Sequence, residues 1–374
     1  MKNDRSWVLI SAAAFKQNIA SLSRLIGTTQ LGVVVKANAY GHGLIEIGKL
    51  CQETDAVSWL FTAGLQEAVA LRSSGVTKPI LVLAYLDGDL QDVITYDITC
   101  SVADSTTAHE LAAYAQALNA RIAVHLKIDT GMSRFGLQPD ALFEQQLREI
   151  VHLSSLTVTG IFTHLSDTNN TDYSFTHEQL MRFEGAVTCA ENIFGRRLYR
   201  HALASGALHL PERYDCVRVG SNAYGHWKSP LQQQRVAALD PQASLKPILT
   251  WKTRVIGVKV LNPGDAVGYH RTYIATTPTK IAILPVGYYD GYPRNLSHKA
   301  RVYIRQQYAP VVGIISMNSM VVDVSHIGSA RVGDEVILCG DIPGIGAHEL
   351  AVMGDSIQNE FLARILPTIP RIII

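Results

Sequence analysis

The sequence is poor in charge and in aromatic side chains, and it has no long run of either. Charged residues make up 17% of the 374, aromatic residues 7%, and the formal net charge is +1. This balance argues against nucleic acid and against a membrane surface as partners. No 18 consecutive residues are apolar, so the sequence predicts no transmembrane helix. Because 47% of the residues are hydrophobic, the chain can still bury a large core.

Recognisable cysteine patterns are also missing. The five cysteines are scattered, and they form neither a CxxC pair nor a zinc-ligand spacing. We therefore expect no disulfide framework and a reducing, cytoplasmic location. Residues 1–5 lead directly into the apolar segment 7–10, which is too short for the core of a signal peptide.

Short apolar strands alternate with helix-length segments from residue 7 to about 238. Alternating βα units predict a parallel sheet, and eight of them fit a closed (β/α)8 barrel of the TIM type. The active site of such a barrel lies at the carboxyl ends of its strands. The eight predicted strands are Val8–Ile10, Leu31–Val35, Trp59–Thr62, Ile80–Leu83, Thr99–Val102, Ala123–Ile128, Leu156–Phe162 and Leu198–His201.

The pattern changes after about residue 240, where short strands follow one another with almost no helical periodicity before residue 346. This pattern is typical of antiparallel β structure. The sequence therefore predicts an α/β protein, with a barrel over residues 1–243 and a mostly antiparallel β domain over residues 244–374. The predicted strands of the second domain are Leu249–Val260, Lys280–Pro285, Arg301–Ile304, Val311–Ile315, Met320–Val324 and Glu335–Leu338.

The most informative segment is Lys36–Gly43, KANAYGHG, which follows the apolar strand 31–35. Burying an ammonium group is costly, and burial makes a lysine a better amine nucleophile. The glycines allow a tight turn close to a ligand. When this segment is taken alone, a lysine whose ammonium reaches solvent explains it equally well.

Further polar residues follow other predicted barrel strands. Arg134 comes after a strand and a glycine turn and can bind a carboxylate, although a surface loop arginine is the alternative. His164 ends another strand, where a hydrogen-bonded core histidine would also fit. Arg218 precedes the turn Gly220-Ser221, which suits a phosphate group but is also compatible with a plain loop.

Two aromatic motifs stand in the predicted β domain, GYHRTY at 268–273 and GYYDGYPR at 287–294. Either one alone is compatible with aromatic packing or a turn. Together with Lys36–Gly43, and in this order, they resemble the alanine racemase family of pyridoxal-phosphate enzymes, in which a barrel precedes a β domain. The resemblance extends from Trp7 to Arg371. It implies a homodimer that interconverts L-alanine and D-alanine with pyridoxal 5'-phosphate by a two-base mechanism.

The resemblance also implies roles for individual residues. Lys36 binds the cofactor covalently and is one base, and Tyr269 is the other, acting in the active site of the partner subunit. Arg218 faces the pyridine nitrogen of the cofactor, and His164 links Arg218 towards Tyr269. Arg134 orients the phenol of Tyr269 and the substrate carboxylate.

The remaining implied roles concern phosphate and substrate. Four residues hold the phosphate: Tyr40, Ser205, Gly220 and Ser221. Met317 approaches the substrate carboxylate from the partner subunit. Lys127 matches a position that some family members carry as a carbamylated lysine.

Three positions depart from the family pattern: Ala204 replaces an asparagine, Asn318 an aspartate and Asn359 a phosphate-binding tyrosine. Asparagine is smaller than tyrosine and offers both a donor and an acceptor. A hydroxyl added to a substrate methyl is hard for an apolar pocket to reject. We therefore expect serine as a side substrate, with Asn359 in the substrate-binding region.

Other functions stay open on the residues alone. One alternative is another barrel-type pyridoxal-phosphate enzyme: a serine or broad-specificity racemase, a decarboxylase or a D-threonine aldolase. An aldolase of this type uses a metal, and His164 with Asp167 could mimic a metal site, but we expect none. A non-enzymatic cofactor carrier is the other alternative. Tyr269 in its motif and residues 244–374 favour the racemase.

Overall fold

The computed structural model describes residues 5–374, which form two compact units. The first, here called the barrel unit, comprises Phe15–Ala37 and Ile47–Leu245. The second, the sheet unit, comprises the described part of Met1–Ala14 together with Asn38–Glu46 and Lys246–Ile374. Residues 1–4, which entered the expectation about a signal peptide, lie outside the described residues.

The elements are numbered in chain order. The strands are β1 Ser6–Ile10, β2 Gln30–Val34, β3 Val57–Gly64, β4 Ile80–Tyr85, β5 Thr99–Val102, β6 Ile122–Lys127, β7 Leu156–Phe162, β8 Tyr199–His201, β9 Cys216–Val219, β10 Leu249–Arg254, β11 Gly257–Leu261, β12 Ala266–Val267, β13 Tyr273–Ile274, β14 Thr279–Leu284, β15 Arg301–Ile304, β16 Gln307–Val312, β17 Met320–Asp323, β18 Glu335–Cys339 and β19 Arg371–Ile373. The helices are α1 Ala12–Ile26, α2 Lys36–Tyr40, α3 Leu44–Gln52, α4 Leu65–Ser73, α5 Gln91–Thr95, α6 Ser105–Ala117, α7 Phe143–Val151, α8 Ser174–Phe194, α9 Pro230–Leu239, α10 Ala347–Met353 and α11 Gln358–Ala363. Among residues 5–374, no helix has the length and apolar character needed to cross a membrane.

The barrel unit is built on eight parallel strands in the order β9-β2-β3-β4-β5-β6-β7-β8. The two strands at the ends of this order, β9 and β8, are linked by single backbone hydrogen bonds between residues in or next to them. The Asp215 N–H donates to the Arg200 carbonyl over 3.0 Å, and the Arg218 N–H donates to the Leu203 carbonyl over 3.0 Å. The sheet is therefore a nearly closed barrel, which confirms the predicted fold class.

Strand β1 corrects one part of the prediction. Val8–Ile10 was expected to open the barrel, but β1 pairs antiparallel with β10 and parallel with β19 in the sheet unit. The missing barrel strand is β9, whose four residues are all buried. Its sequence CVRV places an arginine in the middle of a buried strand, so the apolar run that marks the other strands is interrupted.

The sheet unit contains a nine-stranded sheet in the order β11-β14-β17-β16-β15-β18-β10-β1-β19. Its pairs are antiparallel except for β1 with β19, which confirms a mostly antiparallel domain. The single strand predicted over 249–260 is two strands, β10 and β11. The large side chains Trp251, Tyr292 and Phe361 are fully buried here, and Tyr292 lies beside each of the other two rings.

Candidate active site

Lys36 begins a turn of unusual handedness at the end of β2. The next four residues, Ala37, Asn38, Ala39 and Tyr40, have φ of 54°, 54°, 52° and 56°. Helix α2 is therefore a single left-handed turn. Left-handed helical conformation costs roughly 1–2 kcal/mol for each residue with a Cβ atom. The surrounding chain must hold such a turn in place.

Hydrogen bonds inside the segment hold much of the turn. Gly41 and Gly43 donate their backbone N–H groups to the Asn38 carbonyl over 3.0 and 2.9 Å. The side-chain oxygen of Asn38 accepts the Leu44 N–H over 2.8 Å. The ring Nδ1 of His42, which is fully buried, lies 2.8 Å from the Ala39 carbonyl oxygen.

Residues distant in sequence also contact the turn, among them Arg371 and Leu362. The Arg371 guanidinium donates two hydrogen bonds to the Gly41 carbonyl, over 2.9 and 3.2 Å. Gly41 itself has φ of 87°, and a Cβ atom there would lie 1.9 Å from the carbonyl oxygen of Leu362. Only glycine therefore fits this position without displacing backbone.

The surroundings of the Lys36 amine shift its pKa towards the neutral form. Burial lowers the pKa of Lys36 below its usual value, and the positive charges of Arg134 and Lys228 lower it further. The carboxylate of Glu67 acts in the opposite direction. Since a neutral amine is the nucleophilic form, the site favours attack on a carbonyl carbon.

Arg218 is a buried cation of the barrel unit, with only 3% of its surface exposed. Its Nη1 donates to the carbonyl and to Nδ1 of His201, over 2.8 and 2.7 Å. Its Nη2 donates to the carbonyls of Thr163 and Ala202, over 2.6 and 3.0 Å, and lies 3.5 Å from Nδ1 of His164. Burial lowers the pKa of Arg218 to about 10, so the guanidinium stays charged near neutral pH.

Two histidines that the sequence analysis did not single out support Arg218. Arginine can only donate, so Nδ1 of His201 must accept and its proton must lie on Nε2. That proton points to Nδ1 of His125, 2.9 Å away. Burial, reinforced by Arg218, lowers the pKa of His125 to about 3 and that of His201 well below its usual value. His125 lies in β6 and His201 in β8. A polar residue inside a predicted apolar strand was therefore the sequence signal that could have identified them.

His164 lies next to Arg218, and burial lowers its pKa to about 3, so this imidazole is also neutral. Lys127 is 6% exposed; its Nζ donates to the Leu83 carbonyl over 3.1 Å and lies 3.6 Å from the centre of the Phe135 ring. Burial and then Arg134 lower the pKa of Lys127 to about 7. Within residues 5–374 the guanidinium of Arg134 makes no hydrogen bond.

The predicted phosphate residues of the barrel unit lie together. Ser205 Oγ accepts the Gly220 N–H over 3.0 Å, and both this serine and Ser221 are buried. Gln232, another residue that the sequence analysis missed, donates to the Ser205 carbonyl and accepts the Lys228 N–H over 2.8 Å. Its position within the polar run of α9 gave no signal of this role.

The other predicted residues belong to the sheet unit. Tyr40 is half-buried, and burial raises its pKa to about 12, so its hydroxyl keeps its proton. Tyr269 and Met317 are 65% and 53% exposed, and the Tyr269 hydroxyl makes no hydrogen bond to another of residues 5–374. Asn359 lies half-buried in α11. In the described part of the chain no three His, Cys, Asp or Glu side chains are grouped to hold a metal ion.

The fold and the site define a barrel enzyme that carries a lysine of lowered pKa, a buried guanidinium and a serine-glycine turn. Family models of the alanine racemase N-terminal and C-terminal domains match residues 10–228 and 248–373. The chain belongs to the alanine racemase family.

Individual alanine racemases are similar to this chain over nearly its whole length. Alanine racemase from Symbiobacterium thermophilum is 39% identical over 98% of this chain and 96% of its own, and that from Clostridium perfringens 38% over 98% and 94%. The solved structure of alanine racemase from Clostridium difficile has a TM-score of 0.92 and 28% identity, covering 100% of this chain and 97% of its own. The structure from D-cycloserine producing Streptomyces lavendulae has a TM-score of 0.91 and 29% identity, with coverage of 100% and 98%.

Proposed function

We propose that this protein interconverts L-alanine and D-alanine, with pyridoxal 5'-phosphate bound at Lys36. The observation that carries the proposal is the grouping, in one barrel unit, of a lysine of lowered pKa, a buried arginine and a serine-glycine turn. Membership of the alanine racemase family supports it.

The donor set fits this cofactor. An aldehyde requires a neutral amine, which the lowered pKa of Lys36 makes easier to supply. A phosphate requires hydroxyl and backbone donors, which Tyr40, Ser205, Gly220 and Ser221 would supply. Arg218 would donate to the pyridine nitrogen and, because arginine does not accept protons, would keep that nitrogen unprotonated. When bound, the cofactor supplies an electron sink for negative charge at the substrate Cα.

Racemisation requires proton transfer on both faces of the substrate Cα, and one fixed base reaches only one face. Lys36 Nζ would move the proton on the D face, and the Tyr269 hydroxyl of a second subunit would move it on the L face. Arg134, whose guanidinium is not engaged in a hydrogen bond within residues 5–374, would bind the substrate carboxylate. His164 would connect Arg218 to the tyrosine side.

This division of labour makes the enzyme a homodimer with twofold symmetry. The exposure of Tyr269 and Met317 supports it, because side chains that serve another subunit must lie on the surface of their own.

We also propose that serine is a side substrate because of Asn359, and that Lys127 is carbamylated, since a lysine with a pKa of about 7 offers a neutral amine to carbon dioxide. Five free thiols suit a reducing cytoplasm.

Subunit complementation tests the proposal. Lys36→Ala and Tyr269→Phe should each lose racemisation of L-alanine, followed by chiral product analysis. After subunit exchange between the two variants, about a quarter of the wild-type activity should return, because half of the dimers then carry one intact site.

The control mixes Lys36→Ala with the double variant Lys36→Ala/Tyr269→Phe, which restores no intact site. A wild type that does not racemise alanine would refute the proposed reaction. Recovery no greater than in the control would refute the shared site while leaving the reaction standing.

A further inference from the structure

Strands β2 and β3 lose their mutual hydrogen bonds just before Lys36. The Val35 N–H donates to the Phe61 carbonyl over 2.8 Å. Two residues further along each segment, the N–H groups of Ala37 and Ala63 donate to a side chain instead. Glu67, in the first turn of α4, accepts both of them, Oε1 from Ala37 over 2.6 Å and Oε2 from Ala63 over 2.9 Å.

Only a carboxylate matches this pair of donors. It offers two acceptor oxygens and no proton, whereas glutamine of the same shape offers one acceptor and an NH₂ group that would face the second N–H. Hydrogen bonds to a charged acceptor are also stronger than neutral ones. Replacing Glu67 by glutamine therefore removes one of the two hydrogen bonds. It also places the glutamine NH₂ group against a backbone N–H, so that two donors face each other, and it removes the negative charge.

The bridge falls on the first residue of the left-handed turn, since Ala37 has φ of 54°. Gly41, near the end of the same segment, is held by Arg371. We propose that Glu67 is a positioning residue for Lys36: its bridging carboxylate fixes the chain at the exit from β2, so that the turn starts directly after Lys36. This inference rests on the proposed role of Lys36, but its test by hydrogen exchange does not.

Glu67 also bears on Lys36 electrostatically. Its negative charge opposes the effect of burial, Arg134 and Lys228 on the pKa of the amine. One carboxylate thus acts on both the backbone and the charge of the same lysine.

Hydrogen exchange in the cofactor-free protein tests the positioning role. In Glu67→Gln, amides of residues 37–44 should exchange at least about tenfold faster than in the wild type, while strand β6 keeps its protection. Asp87→Asn is the matched control, because the Asp87 carboxylate accepts the Leu65 N–H over 2.6 Å at the start of the same helix but does not contact Ala37. Exchange in residues 37–44 should not change in the control.

Kinetics of the loaded enzyme give the second measurement. Glu67→Gln should lower kcat for L-alanine about tenfold and change KM less than about twofold, since a displaced lysine impairs proton transfer more than substrate binding. If Glu67→Gln does not fold, Glu67→Asp replaces it, because the shorter carboxylate reaches only one donor and should also speed exchange.

Wild-type exchange of residues 37–44 in the folded variant would overturn the inference, whatever the activity. Faster exchange with an unchanged kcat would overturn the link to Lys36. A protein without racemase activity but with faster exchange would contradict the proposed function and retain the structural bridge.

Discussion

Several predicted site residues of the two units lie in different environments. In the barrel unit, Arg218, Lys127 and His201 are buried and hydrogen-bonded. In the sheet unit the core is apolar and aromatic, and two predicted site residues, the base Tyr269 and the substrate-binding Met317, are exposed.

This difference follows from what each position has to do. A buried cation needs several fixed partners, and those partners hold it in one orientation before any ligand binds. An exposed phenol is not fixed in this way, but it is accessible to a second molecule. The buried cations of the barrel unit are thus held in one orientation, and the exposed side chains of the sheet unit are accessible to other molecules.

The largest effect is expected at Gly41, where the sheet unit holds the lysine turn. Gly41→Ala should lower the free energy of unfolding by about 3 kcal/mol or more, because its Cβ would overlap the Leu362 carbonyl and its φ is 87°. Denaturant unfolding measures this. Gly185→Ala, in open space within α8, is the control and should raise stability by about 0.5–1 kcal/mol. Similar stability of Gly41→Ala and the wild type would show that the turn does not depend on this contact.

Acid should affect the barrel unit before the sheet unit. The pKa of His125 is lowered from its usual 6.5 to about 3, so the unfolded chain takes up the proton first as the pH falls. Stability is therefore lost between about pH 6.5 and pH 3, at up to about 1.4 kcal/mol per pH unit for this one group. Hydrogen exchange at pH 7 and pH 5, followed separately in β6 and β14, should show the larger loss of protection in β6.

His125→Asn should flatten this pH dependence, even though loss of the bond to His201 lowers stability at pH 7. His152→Asn, at an exposed position, is the control. The same slope in His125→Asn and the wild type would assign the acid sensitivity to other groups.

The smallest effect concerns specificity in the sheet unit. Asn359→Tyr should lower the serine-to-alanine ratio of kcat/KM by about three- to tenfold, because a larger side chain leaves less room for a hydroxymethyl group. Both L-amino acids are assayed with chiral product analysis, and Asn318→Asp is the control. An unchanged ratio would remove Asn359 as a determinant of specificity.

Local signals were sufficient for much of the barrel. Strands β5 and β7 begin and end where the sequence predicts, since their apolar runs are bounded by polar or turn residues. Lys36, Arg218 and the turn Gly220-Ser221 could be singled out from the sequence, because each follows or interrupts such a run; their roles stay predictions. Their grouping in one unit follows from the parallel order of the strands.

Long-range pairing accounts for what was missed. Strand β1 fits either sheet by its own residues, and its place is decided by β10 and β19, more than 200 positions away. The left-handed turn had no signal at Ala37 or Ala39, because alanine does not favour that conformation. The partners of His125, His201 and Glu67 are set by tertiary contacts, which a single sequence does not display.

The hydrogen bonds from Arg371 to the Gly41 carbonyl have a consequence for synthesis of the protein on the ribosome. The two residues are 330 positions apart, and Val8 pairs with Arg371 in the same sheet. At typical elongation speeds the ribosome needs roughly 20–70 s to add the intervening residues. For that interval the segment Lys36–Gly43 lacks its contact with Arg371, and β1 lacks its pairing with β19. The turn after Lys36 therefore gains this restraint only after Arg371 has been synthesised.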